Sequence, residues 1–343
     1  LIKDYDDLAL ICDGVLSKLL KEAGKTTYKI IGAFPDRTKI LFQLNRLSKQ
    51  LDDITGALKN QPEHIFSEIE HRIKLKKKQL GIAFFEASGI QANITWDSNF
   101  ISPGQKLKGK LALYNTSDQE WNGLLLYLVG ETVKKFERAD PIKFKLRSGE
   151  RKNIEISAIV SNQAAFHHPL NKNYEPMWQM ERFSAVFDLP TLGKHATINL
   201  LPSDPVLIVP NVNLSWEASG LFYNRLTDGD PVQATLRVDK LTEIYADVNI
   251  GLKAPEGWTV MPPNYSMKAE NLANSSNYPF TIAGPTNSER LEITPFANIE
   301  EDQFEENVLM MDYAHIRNTC NIIPAKLAVQ PIDLEIPARL NIG

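Results

Sequence analysis

Six histidines, His64, His71, His167, His168, His195 and His315, are the first places to look for chemistry, and none sits in a ligand-spaced motif such as His-Glu-x-x-His. The densest polar and aromatic stretch is "FHHPLNKNYEPMWQ", residues 166–179. There His167 and His168 would hold a metal with Glu175 or Asp188, although adjacent residues of a strand point to opposite faces and rarely reach one ion. In "FYNRLTDGDPVQATLRV", Asp228 and Asp230 flank a glycine, a short oxygen-rich loop of the kind that holds calcium but lacks a longer ligand series. No Gly-x-Ser-x-Gly elbow and no glycine-rich phosphate loop occurs, and the carboxylate pairs Asp52-Asp53 and Glu300-Glu301 are consecutive, as in solvated turns or helix surface. On these residues the chain is not expected to be an enzyme itself. Tyr174, Trp178, Trp121 and Tyr223 stand among polar residues, the pairing a sugar-binding face uses. The competing use of such rings is to plug a β-sandwich.

The elements that must position these groups begin with helices over residues 1–80. In "DDLALICDGVLSKLLKEAGK" the set Leu8, Ile11, Val15, Leu19 repeats at three and four, with Gly24-Lys25 as a stop. In the next segment Leu44, Leu47, Leu51, Ile54 and Leu58 form one stripe, and a third segment opens at Pro62 and carries Ile65, Ile69 and Ile73 toward Leu80. The product is a helical hairpin or three-helix unit. From Gly81 the period changes to two: "GIQANITW", "KLKGKLALY" and "NGLLLYLVG" are strands, and "PIKFKLRSGERKNIEISAIV" is a hairpin closed by Ser-Gly-Glu. The expected class is mainly β with an N-terminal α-helical part: a helical unit over 1–80 and two antiparallel β-sandwich, immunoglobulin-like domains over 81–234 and 235–343. In "GLKAPEGWTVMPP" the Pro-Glu-Gly turn sends Trp258 and Val260 to one face, the inner one, so Trp258 is expected in the core.

Composition narrows the partners. With 43% hydrophobic and 23% charged residues and a net charge of −4, the chain has no field to attract nucleic acid or an anionic membrane. The basic run Arg72, Lys74, Lys76, Lys77, Lys78 reads as the solvated face of a helix. Two distant cysteines, Cys12 and Cys320, make no disulfide framework, and no apolar run reaches membrane length. The chain opens at Leu1 and closes on the strand-like "ARLNIG", which suggests a piece of a longer protein.

The order of the pieces carries a resemblance. "LGIAFFEASGIQANITWDSNFISPGQKLKGKLALYN", "VFDLP", "LFYNRLTDGDPVQATLRV", "GLKAPEGWTVMPP" and the tail "MMDYAHIRNT" to "IDLEIPARLNIG" together resemble the non-catalytic region of large bacterial PIG-L (LmbE-like) deacetylase-family proteins. That family's deacetylase domain carries a His-Pro-Asp-Asp zinc motif. The nearest match here, His168-Pro169, continues with Leu170 and Asn171, so no catalytic residue carries over. The resemblance implies an accessory region that spaces or docks a zinc-dependent N-acetyl-sugar deacetylase. It further implies no cofactor in this region, zinc only in the parent's catalytic domain, that domain as partner, and export from the cell. The alternative is a carbohydrate-binding module.

Overall fold

The computed structural model describes residues 5–12, 14–129, 133–136, 141–168, 183–192, 195–202, 204–227, 231–285, 290–313 and 319–335. Among the described residues the chain is mostly β, with four α-helices at its N-terminal end: α1 (Tyr5–Leu10), α2 (Gly14–Gly32), α3 (Arg37–Leu58) and α4 (Glu63–Ser88). It divides into two compact units, the first from 1–97, 108–158 and 182–203, the second from 98–107, 159–181 and 204–343. Both cysteines are buried. No described helix is long and apolar enough to cross a membrane.

The stripe of α3 is buried along its whole length, from Leu44 to Leu58, and the Asp36 side chain caps its start by accepting from the Lys39 N–H at 3.0 Å. The first helical segment departs from expectation. It is interrupted after Leu10 and restarts at Gly14, whose φ of +60° suits glycine. The interruption changes the phase, so Leu16, Leu20 and Ala23 are buried while Ile11 and Val15 face water. Gly24 is not a stop but a packing position: a Cβ there would meet the Tyr5 side chain at 3.4 Å. Helix α4 likewise runs past residue 80 to Ser88 and ends at Gly89, in the left-handed conformation. Of the basic run, Arg72 and Lys74 pair along the helix with Glu68 and Glu70.

The helices are not a separate domain. Residues from all four helices and from the first strands form one core, in which Phe85 of α4 meets Phe187 edge-to-face at 5.4 Å and Phe187 meets Phe144 at 6.4 Å. Two four-stranded sheets contribute to that core. One runs Ile90–Trp96, Lys106–Asn115, Arg151–Val160, Val133–Phe136; the other runs Ile142–Leu146, Trp121–Val129, Ser184–Asp188, Thr197–Leu200. The expected hairpin over 142–160 is therefore a crossing: its two strands lie in different sheets. Buried Asn115 holds the crossing by donating from Nδ2 to the carbonyls of Leu146 and Arg147.

In the second unit one sheet runs Val212–Trp216, Val232–Lys240, Ser275–Ala283, Thr259–Met261. The other runs Gly220–Asn224, Leu327–Ile332, Leu291–Ile299, Val248–Lys253, Asn264–Met267, and the two share a core around Phe280, Leu236 and Ile293. Strand Val232–Lys240 passes straight through residue 235, so that position cannot separate domains. Gly220–Asn224 joins Leu327–Ile332 in parallel, as does Phe100–Ile101 with Leu207–Ile208.

Candidate functional site

Two of the four aromatic residues proposed for a sugar face are core residues. Trp121 is buried, and its indole N–H donates to the Ser88 carbonyl at 3.1 Å and to Ser117 Oγ at 3.0 Å, tying the end of α4 to strand Trp121–Val129. Tyr223 is fully buried and donates its hydroxyl to the Gly284 carbonyl. Neither ring has a face free to stack on a sugar. Tyr174 and Trp178 lie outside the described residues, as do Asp228, Asp230 and His315. Trp258 is half-buried, packed on the second core with its ring 5.2 Å from that of Tyr223. Gly284 makes room for it, since a Cβ there would fall within the indole.

The neighbouring histidines separate as their adjacency predicts. His168 is exposed, whereas His167 is half-buried with Nε2 2.8 Å from Thr319 Oγ1. Burial, with His168 beside it, pushes His167 down to about 4, so it is neutral at pH 7. Thr319 occupies that Nε2. Among the described residues no group of three His, Cys, Asp or Glu side chains converges on one point.

A polar cluster that the sequence reading missed joins α3, α4 and residue 195. Asp52 Oδ1 accepts from Lys77 Nζ at 3.0 Å and lies 2.9 Å from His195 Nε2. Burial alone would raise the Asp52 carboxyl, but the hydrogen bonds and charges of His195 and Lys77 outweigh it and hold the group below its ordinary range. Beside it Gly81 closes on backbone: a Cβ there would stand 2.5 Å from the Thr197 carbonyl oxygen and 2.9 Å from that of His195. Asp52 thus joins side chains of α3, α4 and the turn at residue 195. Its role is to clamp helix to sheet.

The end of the α2–α3 hairpin offers a different kind of site. Its turn is closed by backbone bonds from Phe34 N–H to the Ile31 carbonyl and from Asp36 N–H to the Ala33 carbonyl. Around it Tyr28, Ile31, Phe34 and Phe42 stand 64%, 66%, 79% and 67% exposed. Phe42 and Ala33 line a groove of about 620 Å³ together with Lys29, Lys39 and Gln43, and the buried Gln43 Oε1 has no hydrogen-bond partner. Large apolar side chains left exposed along one helical hairpin suit an interaction surface rather than a reaction centre. The sequence signal was present but unweighted: Phe42 lies off the Leu44–Leu58 stripe, where a solvated helix face calls for polar residues.

No protein-family model matches the chain, and no curated protein matches it. Among solved structures, 71% of the chain aligns with 99% of a protein of unknown function from Porphyromonas gingivalis W83, at 13% identity and a TM-score of 0.24. A further 73% alignment covers 33% of red sea bream transglutaminase, at 9% identity and a TM-score of 0.29. Likeness at this level carries no argument about activity.

Proposed function

We propose that this chain is an accessory, non-catalytic region of a multidomain protein of the PIG-L-like N-acetyl-sugar deacetylase kind, and that it docks the catalytic domain of the same polypeptide. The observation that carries the docking role is the apolar end of the α2–α3 hairpin, with Tyr28, Ile31, Phe34 and Phe42 all exposed. Leaving four such side chains in water is unfavourable by roughly 25 cal/mol per Å² of apolar surface, which a partner surface would recover. We read each sheet pair as an antiparallel, immunoglobulin-like sandwich, the first of which carries the hairpin; the shared core of each pair supports this. Zinc belongs to the partner domain in this reading, and export from the cell follows from the resemblance alone.

Two measurements test it. The coding sequence that adjoins these residues in the natural gene should contain a His-Pro-Asp-Asp motif in frame; a parent without one ends the deacetylase reading. The docking role is tested separately by adding the adjoining domain in trans. Wild type should bind it, and the double variant Phe34→Ser, Phe42→Ser should bind at least tenfold more weakly, since interface aromatics of this size are worth on the order of 2 kcal/mol. Equal binding by both would show that docking lies elsewhere.

A further inference from the structure

The α2–α3 hairpin is basic in a chain that is acidic overall. Residues 14–50 hold eight Lys or Arg and two carboxylates, Glu22 and Asp36, a net charge of +6 where the whole chain carries −4. The cations are ordered. On α2, Lys18, Lys21, Lys25 and Lys29 follow one another at three, four and four residues, so they share one face. On α3, Lys39, Arg46 and Lys49 share a face with Phe42 by the same kind of spacing. All seven cations are exposed. The two stripes adjoin, because the Glu22 carboxyl of α2 is held below its ordinary range first by Lys25, then by Arg46 of α3 and by Lys29. Among the described residues only Lys25 and Lys39 of these stripes meet a carboxylate, Glu22 at 2.9 Å and Asp36 at 3.0 Å.

A solvated helix face mixes its signs, as α4 does, where Glu68 answers Arg72 and Glu70 answers Lys74. The hairpin does the opposite. Lys21 to Lys25 and Lys25 to Lys29 are steps of four, at which like charges oppose helix formation. Carboxylates resume at Asp52 and Asp53, and Asp52 is already taken by Lys77 and His195. Cations beside an exposed apolar end call for anions from outside. A bilayer fits poorly: Lys29, Arg37 and Lys39 lie nearer the turn than Tyr28 and Phe42, so those rings could not enter hydrocarbon without carrying the charges in first. A protein surface imposes no such order of depth, and its fixed carboxylates can stand opposite the cations while its apolar groups cover the rings.

We infer that the surface of the catalytic domain met by this hairpin is acidic, with carboxylates against the two stripes and apolar groups over Tyr28, Ile31, Phe34 and Phe42. The inference rests on the docking role proposed above and adds the chemistry of the partner. The apolar end holds the complex. The stripes draw the acidic surface in and orient it.

The association rate of the whole chain with the adjoining domain of its natural polypeptide, added in trans, tests this. It should fall at least tenfold between about 0.05 M and about 0.5 M salt. Lys21→Glu with Arg46→Glu should lower it at least tenfold at low salt and leave dissociation little changed, whereas Phe34→Ser with Phe42→Ser acts on dissociation. Lys59→Glu with Lys78→Glu makes the same change in net charge at exposed positions off the stripes, and should leave the rate within about twofold. All four charged positions are exposed, so the helices keep their fold, which circular dichroism checks. No association at any salt would overturn the docking reading and this inference with it. Association that ignores both salt and the Lys21, Arg46 pair would overturn this inference alone, as would equal slowing by the Lys59, Lys78 pair. Binding to phosphatidylserine vesicles that is lost in the Lys21, Arg46 pair would assign the stripes to lipid instead.

Discussion

In the first unit the sheets are closed by a helix: Gly81 lets α4 approach backbone to backbone, Phe85 meets Phe187, and Asp52 clamps Lys77 and His195 at the rim. In the second unit, among the described residues, helical structure is limited to three-residue turns, and rings do the same work. Trp258 lies on Gly284 and Tyr223, and Tyr265 sits between Tyr278 and Phe280 at 5.1 and 5.3 Å. A helix laid on a sheet keeps one side in water, so a carboxylate can stay ionised at the seam. Between two sheets a polar atom is held as a hydroxyl tip bonded to a carbonyl, as Tyr223 is to Gly284. The two histidines show the same contrast. His195 lies against a carboxylate, whereas His167 is kept neutral beside a threonine.

The comparison can be broken at several points. Phe187→Ala removes the ring that α4 and Phe144 both touch, and should destabilise the first unit by about 4 kcal/mol in denaturant titration, with the second unit's transition unmoved. Acid should act on the second unit. His167 takes its proton near 6.5 in the unfolded chain and near 4 in the folded one, so the unfolded state binds more protons between these values. Stability from this group is complete above about 6.5 and is lost as pH falls toward 4, by about 3 kcal/mol at most. Melting curves of wild type and His167→Gln across that window should converge at acid pH; parallel curves would show that His167 does not govern the loss.

Trp258→Ala should cost the second unit about 2 kcal/mol, less than a fully buried indole because the ring is half-exposed. Its emission, with the other four tryptophans replaced, should be intermediate in wavelength and partly quenched by iodide. Asp52→Asn should cost the first unit about 1 kcal/mol by weakening charge-assisted bonds to Lys77 and His195. The loss should shrink at high salt. A salt-independent loss would mean that packing, not charge, holds this seam.

Much of the fold was legible in local pattern. The α3 stripe from Leu44 to Leu58 and the strict alternation of Lys106–Asn115 are properties of neighbouring residues, and the structure buries those residues as the spacing requires. The candidate sites were less legible. Trp121 and Tyr223 have polar neighbours in sequence, but the groups that bond them, Ser88 and Gly284, come from 33 and 61 residues away. Asp52 looked like a surface carboxylate until residue 195 arrived 143 positions later.

The sequence by itself determined the element types and that the period changes, which it placed at Gly81 although α4 runs on to Ser88, because periodicity and turn chemistry act over a few residues. Only the tertiary structure decided that Gly24 and Gly81 are contact points rather than stops, that the helices share the first sheets' core, and which aromatic rings are walled in. Those outcomes depend on what packs against a residue, and a packing partner is chosen by the whole chain's burial of apolar surface rather than by its neighbours in sequence.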